Sequence, residues 1–530
     1  GQRIVMELEG TTYYTKVWLN GVYLGDHTGN ITKCRLDVTD ALRQGENLLA
    51  IRMLSPGSDE VFDGLTGQQY PLGGAQRLAQ PVYISLKPMV TVADVFVRPD
   101  CESGRLSIEL TLDNAAADTQ VELSACVSPT LKRITLDSAQ TTVCAPAGRS
   151  THRMELTVAH FTYWDIDNPY LYQVEVVTKA GGSRYADSAS VTTGFKTFEV
   201  DDGGYFRLNG ERLFVKCAHT CPYFPGALDA PSNLELMYKE LRYLKASGYN
   251  MVRFLSGPAL PQQLDYCDRI GLMVYEETAM AWFPTDCSIT GELMSSEISQ
   301  LLYRDRNHVS FSILGLLNET YGTGATQARY AAAVSSLGTV RDIDDDVLVL
   351  LSSGRWDNRR ETASACNPGS RTWDGWMGNE GNVTSANPAY MSLFSGMGDI
   401  HYYPNMPYDA AVRDAFAAIG DVRAAFVSEA GAGSQPNIIS DYRTLQQEDN
   451  LSLGNLMNQS IAQQLEALDY IYSEYGFDSV FATQEDIITQ SQLLQARQRA
   501  LLVDYIRSNL KISGYSMTQG ADIGYRGEGV

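Results

Sequence analysis

The stretch that decides the fold runs from residue 306 to residue 319 and reads RNHVSFSILGLLNE. Within it, Val309–Leu316 is an apolar run of strand length, and Asn318 and Glu319 follow it closely. Catalytic groups of a parallel barrel collect where the strands end and the following loops begin. The stretch therefore predicts a buried strand that carries a candidate catalytic glutamate at its carboxyl end.

Outward from this strand, apolar runs alternate with helical stretches from about residue 205 to the C-terminus. Helical spacing of apolar residues marks Asn233–Ser247 and Ser491–Asn509. Eight strands are predicted: Arg212–Ala218, Asn250–Phe254, Gly271–Glu276, Val309–Leu316, Val347–Ser352, Gly398–His401, Ala424–Ser428 and Ile512–Met517. This alternation predicts a (β/α)8 TIM barrel.

The part that precedes the barrel has a different pattern, with short alternating runs separated by turn residues. Tyr14–Leu19 followed by Asn20-Gly21 is one such run. A break near Lys87-Pro88 divides this part in two. We predict two β-sandwich domains, at residues 1–88 and 89–197, and a barrel domain at residues 198–530. Since the chain opens inside a strand-like run, the first domain is expected to be incomplete at its N-terminus.

Composition excludes several classes of protein. With 530 residues, 44% hydrophobic and 20% charged, the chain has the make-up of a folded multidomain protein. The net charge of −22 and the lack of a Lys/Arg run argue against nucleic acid as a partner. No apolar run is long enough to cross a membrane, so no membrane partner is expected. The nine cysteines lack paired CxxC spacing, so neither a disulfide framework nor a metal site is expected.

A second carboxylate follows a predicted strand, because Ala424–Ser428 runs directly into Glu429. Two carboxyl groups facing each other are what a retaining glycosidase needs, one as acid and one as nucleophile. Glu474, in the sequence SEYG, is a rival for the second position. The apolar residues of Ile461–Ile471 have helical spacing, so no strand leads into Glu474 and Glu429 is preferred.

These motifs resemble those of glycoside hydrolase family 2, the family of β-galactosidases, β-glucuronidases and β-mannosidases. Residues 306–319 resemble its acid/base signature, and similar segments occur in family order along nearly the whole chain. They are Trp18–Gly21, Asn168–Tyr172, Gly194–Lys196, Phe206–Gly210 and Asn250–Arg253. The resemblance implies a jelly-roll-like, sugar-binding-type first domain and an immunoglobulin-like second domain.

The resemblance also implies roles for individual residues. Glu319 would be the acid/base, Glu429 the nucleophile, and Asn318 a donor to the sugar 2-hydroxyl. Arg253, His401 and Tyr403 would surround the nucleophile. Where many members have a tryptophan at the eighth strand this chain has Thr518-Gln519, so an aromatic platform for the sugar is expected from one of the tryptophans Trp356, Trp373, Trp376 and Trp282.

The function that these expectations favour is an exo-acting retaining β-glycosidase, with β-galactosidase as the first choice. A β-glucuronidase, a β-mannosidase, an endo-glycanase and a catalytically weak carbohydrate-binding relative stay as alternatives. A carbohydrate substrate is the expected partner and no cofactor is expected. Homo-oligomer formation is left open, and so is the compartment, which could be periplasmic, extracellular or cytoplasmic.

Overall fold

The computed structural model describes residues 2–9, 11–12, 14–29, 31–54, 77–78, 82–132, 134–201, 203–220, 234–255, 257–282, 289–319, 327–353, 398–419, 424–447, 456–522, 527 and 529. None of the helices in these ranges combines the length and the apolarity that a membrane span requires.

Antiparallel strands form the N-terminal part of the chain. They are β1 (Gln2–Leu8), β2 (Thr11–Thr12), β3 (Tyr14–Leu19), β4 (Val22–Thr28), β5 (Cys34–Asp37), β6 (Leu49–Leu54), β7 (Arg77–Leu78) and β8 (Val82–Pro88). The strand orders are β5-β1-β8, β4-β3-β6 and β2-β7. Asn20 and Gly21 join β3 to β4 with φ values of 54° and 83°. A two-residue hairpin turn requires this left-handed pair of conformations.

A seven-stranded sandwich follows. Its strands are β9 (Val90–Pro99), β10 (Arg105–Asn114), β11 (Thr119–Pro129), β12 (Asp137–Ala145), β13 (Gly148–Thr157), β14 (Tyr172–Ala180) and β15 (Ala186–Thr193). They form one sheet of order β13-β10-β9 and another of order β12-β11-β14-β15. Alternate residues such as Leu110, Leu123 and Val174 point into one apolar core between the sheets. This architecture confirms the predicted immunoglobulin-like sandwich.

Three short antiparallel strands, β16 (Phe198–Val200), β17 (Phe206–Leu208) and β18 (Glu211–Arg212), lead into the barrel. The barrel strands are β19 (Val215–Thr220), β20 (Met251–Phe254), β21 (Met273–Glu277), β22 (Phe311–Gly315), β23 (Leu348–Leu350), β24 (Gly398–His401), β25 (Ala425–Ala430) and β26 (Ile512–Met517). Every pairing in the sheet is parallel, in the order β23-β22-β21-β20-β19-β26-β25-β24. Each predicted barrel strand overlaps one of these eight, which confirms the predicted fold class.

Helices lie between successive barrel strands in the described part of the chain, which leaves out residues 354–397 between β23 and β24. They are α1 (Leu234–Ala246), α2 (Pro261–Ile270), α3 (Thr290–Asp305), α4 (Gln327–Ser335), α5 (Leu337–Ile343), α6 (Ala410–Ala417), α7 (Ile438–Gln447), α8 (Leu456–Glu474) and α9 (Gln484–Ser508), with 3-10 turns at Ala279–Trp282 and Phe477–Ser479. Glu474, the rival nucleophile, is the exposed last residue of α8.

The two terminal strands of the sheet order, β23 and β24, meet at their carboxyl ends. Ser353, just beyond β23, has its Oγ 3.0 Å from Nε2 of His401, the last residue of β24. The sheet therefore curls round on itself, as a TIM barrel requires. Side chains that leave the carboxyl ends of distant strands consequently share one rim, and this rim holds the candidate site.

One residue of the stretch 306–319, Asn307, connects the barrel to the sandwich. Asn307 lies before β22, at the end of the strand opposite to Glu319. Its Oδ1 accepts a hydrogen bond from the backbone N of Val97 at 3.0 Å, and its Nδ2 donates to the backbone O of Val95 at 2.8 Å. Since β9 is an edge strand of its sheet, this amide satisfies backbone groups that an edge leaves open.

Candidate active site

Arg253 joins four barrel strands at the rim. It lies on β20 and is fully buried. Its Nη1 donates to Oε1 of Glu429 at 3.0 Å, and its Nη2 donates to Oδ1 of Asn318 at 2.7 Å. Oε1 of Glu277 accepts from Nε at 2.9 Å and from Nη2 at 2.5 Å. The guanidinium also lies over the ring of Tyr275, 4.6 Å from its centroid.

The charge of Arg253 is fixed by these partners. Burial alone would lower the pKa of Arg253, but the carboxylates of Glu277 and Glu429 raise this pKa well above its usual value. A buried guanidinium needs such partners, because an unpaired charge in the interior costs several kcal/mol. Arg253 is thus both a core ion-pair residue and a permanent cation beside Glu429.

Glu319 has an unusual backbone conformation at the end of β22. Its φ is 49°, in the left-handed region that residues other than glycine adopt at a cost of order 1–3 kcal/mol. The backbone N of Glu319 donates to the O of Ser353 at 2.7 Å, and that of Asn318 donates to the O of Ala281 at 2.9 Å. In this conformation Oε1 of Glu319 lies 2.9 Å from Nδ1 of His401.

Glu429 is held from two sides on β25. Opposite the Arg253 contact, the hydroxyl of Tyr403 donates to its Oε2 at 2.5 Å. Oγ1 of Thr518 lies 2.6 Å from the same hydroxyl. Because the Tyr403 proton is directed to the carboxylate, Thr518 is the donor in that second contact. Burial and the nearby Glu429 raise the pKa of Tyr403 well above its usual value, so this phenol keeps its proton.

The pKa of Glu429 reflects opposing effects. Burial is the largest and raises this pKa above the ordinary value, and the charge of Glu319 acts in the same direction. His401, Arg253 and the Tyr403 hydroxyl oppose the rise. The net pKa of Glu429 is raised, so burial outweighs the contacts that favour its ionised form.

The two carboxyl groups face each other across His401. One oxygen of Glu319, one oxygen of Glu429 and one ring nitrogen of His401 all lie within 4.8 Å of one another. Retaining glycosidases have their carboxyl groups about 5–5.5 Å apart, whereas inverting enzymes leave about 6.5–9.5 Å for a water molecule. The spacing observed here is that of a retaining pair.

The same three groups could in principle hold a metal ion, and Asp265, Asp268 and His308 form a second such group among the described residues. In each group a carboxylate oxygen lies at hydrogen-bond distance from the histidine Nδ1, 2.9 Å for Glu319–His401 and 2.7 Å for Asp268–His308. These short contacts are those of a shared proton. These contacts need no metal ion to explain them, and that no metal binds here stays a prediction.

Six residues that the sequence analysis selected meet in this site: Glu319, Glu429, Asn318, Arg253, His401 and Tyr403. Trp356, Trp373 and Trp376 lie outside the described residues, as does the side chain of Trp282. Sequence reasoning missed Glu277 and Ser353. Glu277 could have been found, since the predicted strand Gly271–Glu276 stopped one residue before it. Nothing in the sequence around Ser353 marks it as a site residue.

Comparison with known protein families identifies the chain. The model of glycosyl hydrolases family 2 matches residues 90–196, and the model of the TIM barrel domain of the same family matches residues 231–374. The two matches cover the sandwich and the first half of the barrel, in family order. The chain belongs to glycoside hydrolase family 2.

Several curated proteins are similar to this family 2 chain. A β-galactosidase of Thermoanaerobacter pseudethanolicus is 26% identical over 334 residues, which cover 60% of this chain and 43% of the relative. A putative β-glucuronidase of Formosa agariphila is 24% identical over 323 residues, covering 59% of this chain and 37% of the relative. The alignments thus span less than half the length of these relatives.

Solved structures show the same fold. The chain matches over its whole length a β-glucuronidase of Bacteroides uniformis, with a TM-score of 0.71, 16% identity and 59% of that chain covered. It matches a putative β-galactosidase of Bacteroides fragilis equally fully, with a TM-score of 0.68, 16% identity and 72% of that chain covered. At these identities the likeness establishes the shared fold of family 2.

Proposed function

We propose that this family 2 protein is an exo-acting retaining β-glycosidase that removes terminal β-linked sugars from a carbohydrate substrate. The observation that carries the proposal is the opposed pair Glu319 and Glu429, whose carboxylate oxygens lie within 4.8 Å of each other. A separation this short leaves no room for water between the carboxyl groups and the sugar, so one carboxylate attacks the sugar directly.

Glu429 is the nucleophile in this proposal. Arg253 and Tyr403 point a permanent cation and a phenol proton at its two oxygens, and both contacts stabilise the ionised form. The carboxylate attacks the anomeric carbon, and the bond to the leaving-group oxygen breaks as that oxygen takes a proton from Glu319. The product of this step is a glycosyl ester of Glu429.

Glu319 then acts as the base. It takes a proton from an incoming water molecule, whose oxygen attacks the anomeric carbon and releases Glu429 as a carboxylate. Glu319 has regained its proton and the sugar has kept its β configuration. The amide oxygen of Asn318 accepts a hydrogen bond from Arg253, which orients the side-chain amide. Its NH2 group is a donor of the kind that a sugar 2-hydroxyl accepts.

The sugar is the least constrained part of the proposal. We put β-galactosides first, because the similar proteins include several β-galactosidases. β-Glucuronides come second, because similar curated proteins and structures also include β-glucuronidases. The roles proposed for Glu319, Glu429 and Asn318 concern the anomeric carbon and the 2-hydroxyl. Galactosides and glucuronides share both, so these roles do not choose between the two sugars.

A panel of aryl glycosides tests the proposal. Initial rates on the nitrophenyl β-galactoside, β-glucuronide, β-mannoside and β-glucoside would be measured for the wild type, Glu319→Gln, Glu429→Gln and Glu474→Gln. We expect turnover of one sugar, abolished in Glu429→Gln and unchanged in the exposed control Glu474→Gln. Loss of activity in Glu474→Gln alone would contradict the assignment. A folded wild type that binds sugars without turnover would indicate the carbohydrate-binding alternative.

A further inference from the structure

A chain of hydrogen bonds leads away from His401 into the barrel wall. Nε2 of His401 lies 3.0 Å from Oγ of Ser353, and this Oγ lies 3.1 Å from Oγ of Ser428. Oγ of Ser428 lies in turn 3.4 Å from the backbone O of Ile400. His401, Ser353 and Ser428 are all completely buried, so the chain is closed to solvent.

The last acceptor in this row of hydrogen bonds, the carbonyl of Ile400, sets the direction of each of them. The carbonyl of Ile400 can only accept, so the Ser428 hydroxyl donates to it. Ser428 then has its oxygen free to accept the proton of the Ser353 hydroxyl. Because the only hydroxyl proton of Ser353 is donated to Ser428, the Ser353 oxygen accepts a hydrogen bond from Nε2–H of His401. Each group from the imidazole to the carbonyl therefore donates its hydrogen bond to the next one.

The imidazole has one ring proton only. Burial lowers the pKa of His401 below its ordinary value, and the charge of Arg253 adds to this, while Glu429, Asp399 and Glu277 oppose it. A neutral imidazole that carries its proton on Nε2 has a lone pair on Nδ1. Oε1 of Glu319 lies 2.9 Å from this Nδ1. A contact this short between two acceptors requires a proton, and the proton belongs to Glu319.

We propose that Ser353 and Ser428 form an ordered hydroxyl relay that fixes the tautomer of His401, so that Nδ1 accepts the proton of Glu319 and holds this carboxyl in its acid form. The inference rests on the proposed function, in which Glu319 gives a proton to the leaving group. Ser353 and Ser428 are positioning residues, because they act through His401 and not on the sugar.

The relay also explains how two facing carboxyl groups take different roles. Oε2 of Glu429 lies 3.4 Å from the same Nδ1. Because this nitrogen carries no proton, it cannot donate a hydrogen bond to Glu429. Glu429 accepts its hydrogen bonds from Tyr403 and Arg253 instead, and both contacts favour its ionised form. Glu319 thus keeps its proton and is the acid, whereas Glu429 is ionised and is the nucleophile.

The first test observes the tautomer directly. The chain has six histidines, so 15N-histidine labelling gives a small set of ring-nitrogen signals, and His401→Gln assigns one pair. We expect His401 of the wild type to be protonated on Nε2 alone. In Ser353→Ala, Nε2 loses its acceptor, and we expect the proton to move to Nδ1, facing the carboxylates. A wild type protonated on Nδ1 would overturn the relay.

The second test measures the acid step. In Ser353→Ala we expect the basic limb of kcat/KM to move down by about one pH unit, the scale on which one hydrogen bond to the acid form acts. The loss of rate should be largest for glycosides with poor leaving groups and smallest for dinitrophenyl glycosides, which need no proton. Ser353→Thr should restore both properties, because it keeps the hydroxyl.

A matched control comes from Ser513, a buried serine of β26 whose Oγ donates to the backbone O of Ala425 at 3.1 Å. Ser513→Ala should leave the basic limb in place. Wild-type turnover together with an unchanged tautomer and limb in Ser353→Ala would overturn the relay and leave the proposed function intact. A wild type without glycosidase activity would overturn the proposed function, and the 15N signals would still decide on the relay.

Discussion

Nη1 of Arg253 lies 3.0 Å from Oε1 of Glu429, and the two side chains are 0% and 6% exposed. The pair places a permanent positive charge beside a carboxylate whose pKa burial raises. Screening by salt is weak for such a buried pair, so the full interaction acts on the carboxylate. Removal of the cation leaves an uncompensated buried charge, the most costly way to break an ion pair.

Replacement of Arg253 should therefore shift the acid limb of activity. In the proposed mechanism Glu429 must be ionised to attack. Because its pKa is raised, it takes up a proton at a higher pH than an ordinary glutamate does as the pH falls. Without the cation this pKa rises further, so Arg253→Gln should move the acid limb of kcat/KM to higher pH and lower its maximum by about 100-fold or more. Arg413→Gln, which changes an exposed arginine paired with Asp414, is the control. An acid limb unmoved in Arg253→Gln would contradict the role of the ion pair.

Gly315 is a second sensitive position, because it makes room for the side chains that hold Arg253. A Cβ at this glycine would lie 2.6 Å from Cε2 of Tyr275 and 2.8 Å from Cγ of Glu277. Gly315→Ala should displace both, lower the free energy of unfolding by about 1–3 kcal/mol and reduce kcat/KM by up to about 100-fold.

Gly338, in α5, is the matched control for this prediction, since a Cβ there would meet no atom within 4 Å. Gly338→Ala should be neutral or stabilising, because alanine is the better helix former. Thermal unfolding and steady-state rates measured on both variants check the expectation. Equal behaviour of the two would show that the contacts of Gly315 do not matter.

His308 should make stability depend on pH. Its Nδ1 lies 2.7 Å from Oδ2 of Asp268, and although burial opposes the charge, Asp268 raises the pKa of His308 from 6.5 to about 9. A raised pKa adds stability that is fully present below pH 6.5 and is lost as the pH rises through 9. The shift corresponds to about 3 kcal/mol.

Urea unfolding of the wild type and of His308→Gln at several values between pH 6 and 9.5 measures this contribution. The difference in the free energy of unfolding between the two proteins should be largest at pH 6. At pH 9.5 it should be smaller by most of the contribution of about 3 kcal/mol. The histidine at position 152, with its ordinary pKa lowered by burial, offers a control variant, His152→Gln. A constant difference between wild type and His308→Gln would refute the charge pairing.

Much of the fold could be predicted because the signals are local. Short apolar runs such as Val347–Leu351 and Ala424–Val427 mark several of the barrel strands, and parallel barrel strands, buried on both faces, have this pattern. Local pattern also separated Glu429 from Glu474: the first follows a buried strand and the second ends a helix. Both glutamates follow a serine, in Ser428-Glu429 and Ser473-Glu474, so the letters alone do not separate them.

The contacts between the side chains of the site could not be predicted in the same way. Ser353 contacts Glu319 because β22 and β23 pair, and it contacts His401 because the barrel closes. Neither fact is visible in the residues around Ser353. The pKa of Glu429 depends on burial by elements from several parts of the chain. Asn307 looked like part of the acid/base signature, but its amide binds the edge of β9, a contact that only the assembled sandwich provides.

Trapping of the covalent intermediate tests the central claim most directly. The wild type would be treated with a 2-deoxy-2-fluoro glycosyl fluoride of the sugar that it hydrolyses, digested and analysed by mass spectrometry. We predict one glycosyl group per chain, attached to Glu429, and no label in Glu429→Gln. A label on Glu474 or Glu277, or full turnover with no trapped ester, would contradict a double displacement at Glu429.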